Sequence, residues 1–404
     1  MGLKQNLENI QTNLSNAKTA IAQSITNKGV ECSADDALST YASKIDSISG
    51  GGSGEKFVVP DGLKFGYSST FEPTQYDVSN VTDMSKMFRD IELPSLDLSS
   101  WDTSNVTDMK EMFYYCSGLT SLNLNGWDTH NVTDISNMFY YCTGLTSLDL
   151  SSWDTSNLTT IYRTFYNCSG LTNLNLSGWN TSKVTSMFSS FCECRKLPSL
   201  DLSSWDTSNV TDMREMFKNC SGLTSLNLNG WDTHNVTSIT NMFSGCRNLQ
   251  SLDVSFFNVS NISSFENMFN SCSGLTSLNL NGWNTSNATG LNNMFFSCSG
   301  LTSLDLSSWN TSKVVSYSSM FYNCKALTDL KFNDIGHKDS TLTLDLTPCS
   351  ALTKESVLFL FNNAFDRATA GYSTSFTIKL HATTKALLTE DEIAIATNKG
   401  FTVV

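Results

Sequence analysis

Tryptophan recurs through the middle of the chain at a fixed step. It stands at Trp101, Trp127, Trp153, Trp179, Trp205, Trp231, Trp283 and Trp309, 26 residues or a multiple apart, with Phe257 in the one gap. Cysteine keeps the same step at Cys116, Cys142, Cys168, Cys194, Cys220, Cys246, Cys272, Cys298 and Cys324. Such a period means a stack of like units, each too small to bury its own flanks and each completed by its neighbours. An earlier unit begins at Tyr76 and is one residue shorter, because "FRDIELPSL" stands where a later unit has "FYYCSGLTSL". About ten coils therefore run over 76–334. "WDTSNVTDMKEMF" from Trp101 returns as "WDTSNVTDMREMF" from Trp205, which indicates duplication in blocks of four.

One unit can be read residue by residue. Leu119, Leu122 and Leu124 end in a polar/apolar alternation, a short strand with one face on a core. Val106, Met109, Met112, Phe113 and Cys116 recur at helical spacing and predict a short helix. Thr107 reads as its N-cap, with Asp108 in the first turn where the helix dipole favours an anion. Gly118 reads as its positive-φ C-cap. The expected fold is an α/β repeat solenoid, each coil a strand, a turn, a short helix and a turn. Its strands, about 4.8 Å apart, join into one parallel sheet.

"LxxLxLxx" on a 26-residue period resembles a leucine-rich repeat. The fuller "WDTSNVTDMxxMFxxCxGLTSLDLSS" is similar to the BspA-like repeats of bacterial surface proteins, and the match covers about two thirds of the chain. In common leucine-rich repeats Asn or Cys stands where Trp127 and its equivalents stand here. The resemblance therefore implies that the usual asparagine ladder is missing and that stacked tryptophans fill that corner.

The ends differ from the array. Residues 1–48 read as a helical attachment segment in which Leu3, Leu7, Ile10, Leu14, Ala17, Ile21 and Ile25 would make a heptad-like seam. A second helix, "ADDALSTYASKIDSI" (34–48), makes a hairpin the alternative to an oligomeric coiled coil. "YASKIDSI" in this block resembles the opening segments of phage tail and fibre proteins. Residues 49–54, "SGGGSG", are a flexible linker, and 55–75 cap the first coil. Residues 335–404 read as an α+β cap. It holds a strand in "TLTLDL", a helix capped by Thr353, a strand in "FTIKL", a capping box in "TEDE", and Gly400 ahead of a last strand, "FTVV". This cap resembles the C-terminal regions of some prophage-encoded BspA-like proteins.

Composition removes several functions. The formal net charge is −13 and charged residues are 16% of the chain, so no basic surface for nucleic acid is expected. No apolar run approaches the ~20 residues that span a bilayer. The N-terminus shows neither a signal-peptide pattern nor a clear myristoylation motif. Four histidines serve the whole chain, and His130 and His234 lie four coils apart, too far to share a metal or a proton. No nucleophile, base and orienter set is visible, so an enzyme is not expected, and no cofactor is called for.

The recurrent cysteines read as a buried column of small hydrophobes, with disulfides or a metal as alternatives. Cys192 falls off register and reads as a surface thiol, and Cys32 and Cys349 read as lying outside the array. In the strand-face column Asn123, Asp149, Asn175, Asp201, Asn227, Asp253, Asn279 and Asp305, alternation keeps like carboxylates apart. Asp102, Asp128 and Asp154 do not alternate, and read as Asx-turn acceptors with a calcium ladder as the alternative. The "NVT"-type sequons follow the repeat and carry no message about glycosylation.

Positions that vary while the frame holds mark the candidate binding surface: Tyr114, Tyr115, Tyr140, Tyr141, Tyr162 and Tyr166, read as a stripe for sugar stacking or protein contact. The combined expectation is a non-enzymatic phage virion protein, a tail or head fibre or spike at the virion surface. It is expected to form a homo-oligomer such as a trimer, held to other virion proteins by the N-terminal segment. Its solenoid would contact a host-surface glycan or protein, with no nucleic acid and no membrane insertion. A bacterial BspA-like surface adhesin and an intracellular repeat scaffold are the alternatives.

Overall fold

The computed structural model describes residues 18, 19, 22, 56–65 and 71–404. Lys18, Thr19 and Ala22 are helical. Every residue of the heptad seam, the second N-terminal helix and the Gly/Ser linker lies outside the described residues.

A parallel pair, β1 (Phe57–Val58) with β2 (Tyr76–Asp77), opens the array. Phe65 and Phe71 close over Phe88 and Trp101, with ring centroids 5.1–6.2 Å apart. The repeat strands follow: β3 (Ser95–Asp97), β4 (Ser121–Asn123), β5 (Ser147–Asp149), β6 (Asn173–Asn175), β7 (Ser199–Asp201), β8 (Ser225–Asn227), β9 (Ser303–Leu306) and β10 (Asp329–Phe332). All the pairings are parallel, as the repeat requires, but the expected single sheet is not formed. Strands couple only in twos, β3 with β4, β5 with β6, β7 with β8 and β9 with β10. Asp253 and Asn279 keep the same relation as one bridge.

Alternate coils carry different turns, and the breaks follow them. After an Asp strand the turn is Leu98-Ser-Ser-Trp101, closed by the Trp101 N–H on the Leu98 carbonyl at 3.0 Å. After an Asn strand the third turn residue is Gly126, Gly178, Gly230 or Gly282, with φ of 83–88°. That conformation belongs to a different turn type, so neighbouring coils leave their strands in different directions. Within a pair, the Leu98 N–H donates to the Asn123 carbonyl at 2.9 Å, and the Trp127 indole donates back to the Leu98 carbonyl at 3.0 Å. Trp179, Trp231 and Trp283 repeat the indole bond at 2.9–3.0 Å. Across a break it is missing, and the buried indole N–H groups of Trp153 and Trp309 have no partner. The structural unit is thus 52 residues, two coils.

No helix forms in the array. Residues 109–116 are a run of tight turns, with Met112 N–H on Met109 O, Tyr114 N–H on Glu111 O and Cys116 N–H on Phe113 O at 3.1–3.3 Å. The residues between donate to the next coil: Met109 to Asp134 O, Glu111 to Ser136 O, Phe113 to Met138 O and Tyr115 to Tyr140 O, at 2.7–3.0 Å. Half the amides that a helix would use internally are spent on the neighbour. The turns need a left-handed residue twice per coil, here Glu111 (φ 57°) and Tyr115 (φ 60°). Val106, Met109, Met112, Phe113 and Cys116 are fully buried, as helical spacing also demanded. Thr107 is no N-cap, since its amide and hydroxyl both bond to the Thr82 carbonyl of the preceding coil. Asp108 instead accepts the Lys110 N–H in an Asx-turn.

Nor is Gly118 a positive-φ cap. Its column holds Lys196, Asn248 and Ala326 in three coils, and where it is glycine backbone approaches backbone by different amounts: a Cβ on Gly170 would stand 2.3 Å from the Thr143 carbonyl oxygen, against 3.5 Å from the Glu92 oxygen at Gly118. Gly170→Ala is therefore expected to cost about 1–3 kcal/mol as an overpacked site and Gly118→Ala well under that. Urea unfolding of the two variants side by side checks the order, and equal midpoints would contradict it.

The core is one stack. Phe88, Phe113, Phe139, Phe165, Phe191, Phe217, Phe243, Phe269, Phe295 and Phe321 lie near-parallel with centroids 5.5–5.8 Å apart. The expected tryptophan stack is present from Trp127 to Trp205 at 6.0–6.4 Å. An asparagine ladder exists as well, contrary to expectation, four residues beyond the tryptophan corner. Asn105, Asn131, Asn157, Asn209, Asn235, Asn261 and Asn287 each donate a side-chain N–H to a carbonyl of the preceding coil at 2.7–2.9 Å. It sits there because a coil-to-coil carbonyl gap is bridged wherever an amide reaches it, and the tryptophan fills the other corner by bulk.

Beyond the array, β11 (Leu342–Leu346), β12 (Phe376–Leu380) and β13 (Phe401–Val403) form a parallel sheet. The helices are α1 (Lys354–Asn363), α2 (Ala382–Lys385), which the sequence reading missed, and α3 (Glu390–Asn398). Thr353 caps α1, Thr389 and Glu392 form the capping box, and Gly400 takes φ 86°. The Ser356 hydroxyl on α1 accepts the Leu330 N–H at 2.9 Å, so this helix satisfies the open edge of β10.

Candidate functional site

The cysteine column is frame. Each ladder thiol is buried and free, and donates to the phenylalanine carbonyl of the preceding coil, from Cys116 on Phe88 O at 2.9 Å to Cys194 on Phe165 O at 3.2 Å. Burial pushes Cys246 and Cys324 up to about 12, and raises Cys142, Cys168, Cys194, Cys220, Cys272 and Cys298 as well. A thiol held neutral in an apolar column is neither nucleophile nor ligand. Two readings change. Cys349 belongs to the column, its thiol 3.6 Å from the Phe321 carbonyl. Cys192 is buried, with burial pushing it up to about 12; it keeps the backbone bonds of the Tyr114 and Tyr140 position, where a thiol is too short to reach out as tyrosine does.

The acidic columns are also occupied by structure. Asp102, Asp128 and Asp154 each accept the N–H two residues on at 2.9–3.2 Å, as Asx-turns. Hydrogen bonds from His130 hold the Asp128 carboxyl below its ordinary value, and bonds from Ser156 do the same for Asp154. His130 and His234 contact Asp128 and Asp232 at 2.6 and 2.8 Å in equivalent turns. On the strand face Asn227 donates to Asp201 at 3.0 Å, so alternation supplies a bond as well as separation. Grooves of about 450 and 330 Å3 open on this face at two of the breaks, between β6 and β7 and between Asn279 and β9. They are lined by leucines with Asn, Asp and Ser, of which Asn175, Asp201, Asn279 and Asp305 accept bonds within their own coils.

The tyrosines come together on the turn face. Tyr114, Tyr140 and Tyr166 stack at 4.7 Å per step, and Tyr115 stacks on Tyr141 at 4.7 Å. Burial raises the phenols of Tyr114, Tyr140 and Tyr166. Stacked rings hide their faces from sugars, because each covers the next. Tyr115, 41% exposed, is the open member. Tyr162 stands beside this column and stacks on Phe188 at 5.2 Å.

Arginines bound the stripe, and reading the varying positions as tyrosines alone missed them. Arg89 lies over Tyr114 at 4.4 Å, Arg163 lies 5.1–5.7 Å from Tyr162, Tyr166 and Phe188, and Arg214 lies over Phe188 at 4.9 Å. The backbone gives a signal that the sequence did carry. The two left-handed positions of each coil hold Asn at 137, 167, 219, 241, 267, 293 and 323, with Gly at 245 and Ser at 189, 271, 297 and 319. Gly and Asn are the residues such backbone favours. Tyr115, Tyr141 and Arg163, which belong to the stripe, depart from that preference, as do Lys86, Glu111, Glu193 and Glu215, which do not.

A family model described as "Mycoplasma protein of unknown function, DUF285" matches residues 65–174, 142–256 and 237–339. Among solved structures, a leucine-rich repeat protein from Bacteroides ovatus ATCC 8483 is similar at 16% identity. The match covers 86% of this chain and 92% of that one, with a TM-score of 0.27. No curated protein matches.

Proposed function

Because the chain belongs to the family described as Mycoplasma protein of unknown function, DUF285, we propose that it is a non-enzymatic binding protein of a virion or cell surface. The observation that carries this reading is the gathering of Tyr114, Tyr115, Tyr140, Tyr141, Tyr162 and Tyr166 with Arg163 on one turn face, with Tyr115, Tyr141 and Arg163 in left-handed backbone. A bulky residue there costs about 1 kcal/mol or more, and stacking between the tyrosines offsets part of that. The buried frame needs none of the three.

The carrier we propose is a phage virion, with the solenoid-like array as fibre or spike and the N-terminal block as its attachment and oligomerisation segment. A bacterial surface adhesin is the second reading, favoured by the bacterial genus in the family description. Mass spectrometry of purified particles separates them: presence of the chain supports the first, and absence rejects it. The stripe is tested with Tyr115→Asn/Tyr141→Asn, which installs the residue that other coils use. Retention on host cells is expected to fall at least about tenfold with the unfolding midpoint unchanged or raised. Unchanged retention would remove the stripe as the contact surface.

A further inference from the structure

Arg163 is the residue of the stripe that the fold leaves uncompensated. Arg89 holds Glu111 at 2.7 Å and Asp90 at 3.2 Å, and Arg214 holds Asp212 at 2.6 Å. Arg163 has no ion pair among the described residues, and its Nε is buried without a hydrogen-bond partner. The guanidinium lies instead among the rings of Tyr162, Tyr166 and Phe188. A cation with no counter-charge is conspicuous on a chain of net charge −13.

The ring beside it has an aromatic stacking partner on one side. Tyr162 stacks on Phe188 of the following coil. In the preceding coil the equivalent position is Ser136, aligned with it through the adjacent Asn137 N–H on the Tyr162 carbonyl at 2.9 Å. Ser136 is buried and puts no ring against Tyr162, which is itself half-buried. Here, then, the stripe sets a partly exposed aromatic ring next to an unpaired guanidinium.

The geometry points to a binding site for a glycan ending in a carboxylate-bearing sugar, its ring on Tyr162 and its carboxylate on Arg163. This rests on the binding-protein reading above and names the ligand of that surface. An aromatic face takes the apolar C–H side of a sugar, and a guanidinium takes a carboxylate through two parallel N–H bonds. A single terminal charge suits the site, because a polyanion would meet the repulsion of an acidic chain along its length. Arg163 also supplies specificity: a neutral sugar leaves its half-buried guanidinium unpaired.

The test is titration calorimetry of the full chain with 3′-sialyllactose, a glucuronic-acid-terminated disaccharide, lactose, 6′-sulfolactose and an acidic peptide. The carboxylated sugars are expected to bind at least about tenfold more tightly than lactose, and to weaken as salt rises. Arg163→Asn should bring them to the lactose level, and Tyr162→Ser should weaken every sugar. Both variants install what the preceding coil carries, Asn137 and Ser136, and unchanged thermal unfolding checks that they fold. Equal binding of lactose, or carboxylated-sugar binding indifferent to Arg163→Asn, overturns the carboxylate site and leaves the binding-protein reading standing. A preference for the sulfated sugar or the peptide overturns the ligand assigned here. Binding of none of the five, together with no retention on host cells, takes both readings down.

Discussion

Above pH about 9 the array is expected to lose stability steeply. A thiol in the unfolded chain ionises near pH 8.5–9. In the folded chain burial raises the thiols of Cys142, Cys168, Cys194, Cys220, Cys272 and Cys298, and takes Cys246 and Cys324 to about 12. The folded pKa is above the unfolded one, so the contribution is whole below pH about 9. It drains away as pH rises, because the unfolded state sheds protons that the native state keeps. Each such thiol removes about 1.4 kcal/mol per pH unit. Whole domains are stable by only about 5–15 kcal/mol, so several acting together bring unfolding well before pH 11. Urea midpoints followed by tryptophan fluorescence at steps from pH 7 to 10.5 read this directly. The paired variant Cys168→Ala/Cys194→Ala should flatten the slope by two thiols' worth. A midpoint unchanged between pH 8.5 and 10 would contradict the buried column. Phenols raised by burial, such as Tyr317, act in the same direction only from pH about 10 upward, so the earlier part of the slope belongs to the thiols.

Arg367→Ala is expected to cost about 3–5 kcal/mol and to open the C-terminal cap before the array. The Arg367 side chain is 1% exposed. Its two terminal nitrogens donate to the carbonyls of Gly336, Lys338 and Thr374 at 2.6–2.7 Å. The guanidinium also lies 5.3–5.9 Å from the rings of Tyr372, Phe376 and Phe401. Truncation strands three carbonyl acceptors and leaves a cavity. Arg367→Met fills more of the space but restores no donor, and should fall between. Hydrogen exchange locates the effect: amides of 336–404 should lose protection while those of 109–220 keep theirs. A loss under about 1 kcal/mol would mean the loops close without the guanidinium.

How far the sequence led depends on which bonds decide each element. Thr353, the Thr389–Glu392 box and Gly400 are local signals, and the helices and strands they bound stand where the sequence put them. Burial of Met109, Met112, Phe113 and Cys116 was legible too, since period alone sets which face is apolar. The helix drawn through them was wrong because turns and helix bury the same positions. The choice lies with amides such as Phe113 N–H, which bonds Met138 of the next coil. One trace of this was in the sequence: Asn recurring at the two left-handed positions, four residues apart, as in Asn137, Asn219, Asn241 and Asn323. The break of the sheet into pairs was announced by the alternating Ser-Ser and Asn-Gly turns, although only the missing indole bonds of Trp153 and Trp309 show what that alternation does.

For the candidate surface the division is similar. Variation within a constant repeat was enough to single out Tyr114, Tyr115, Tyr140, Tyr141, Tyr162 and Tyr166. Which ring faces are covered, and that Arg163 stands among them without a carboxylate, follow from neighbouring coils 26 residues away. The sequence by itself determined that this chain stacks like units, which residues go inside, and that its thiols belong to the frame, because periodicity and side-chain chemistry are properties of the chain alone. The tertiary structure decided turn against helix, pairs against one sheet, and open ring against covered ring, because each rests on a contact that exists only once the next coil is in place.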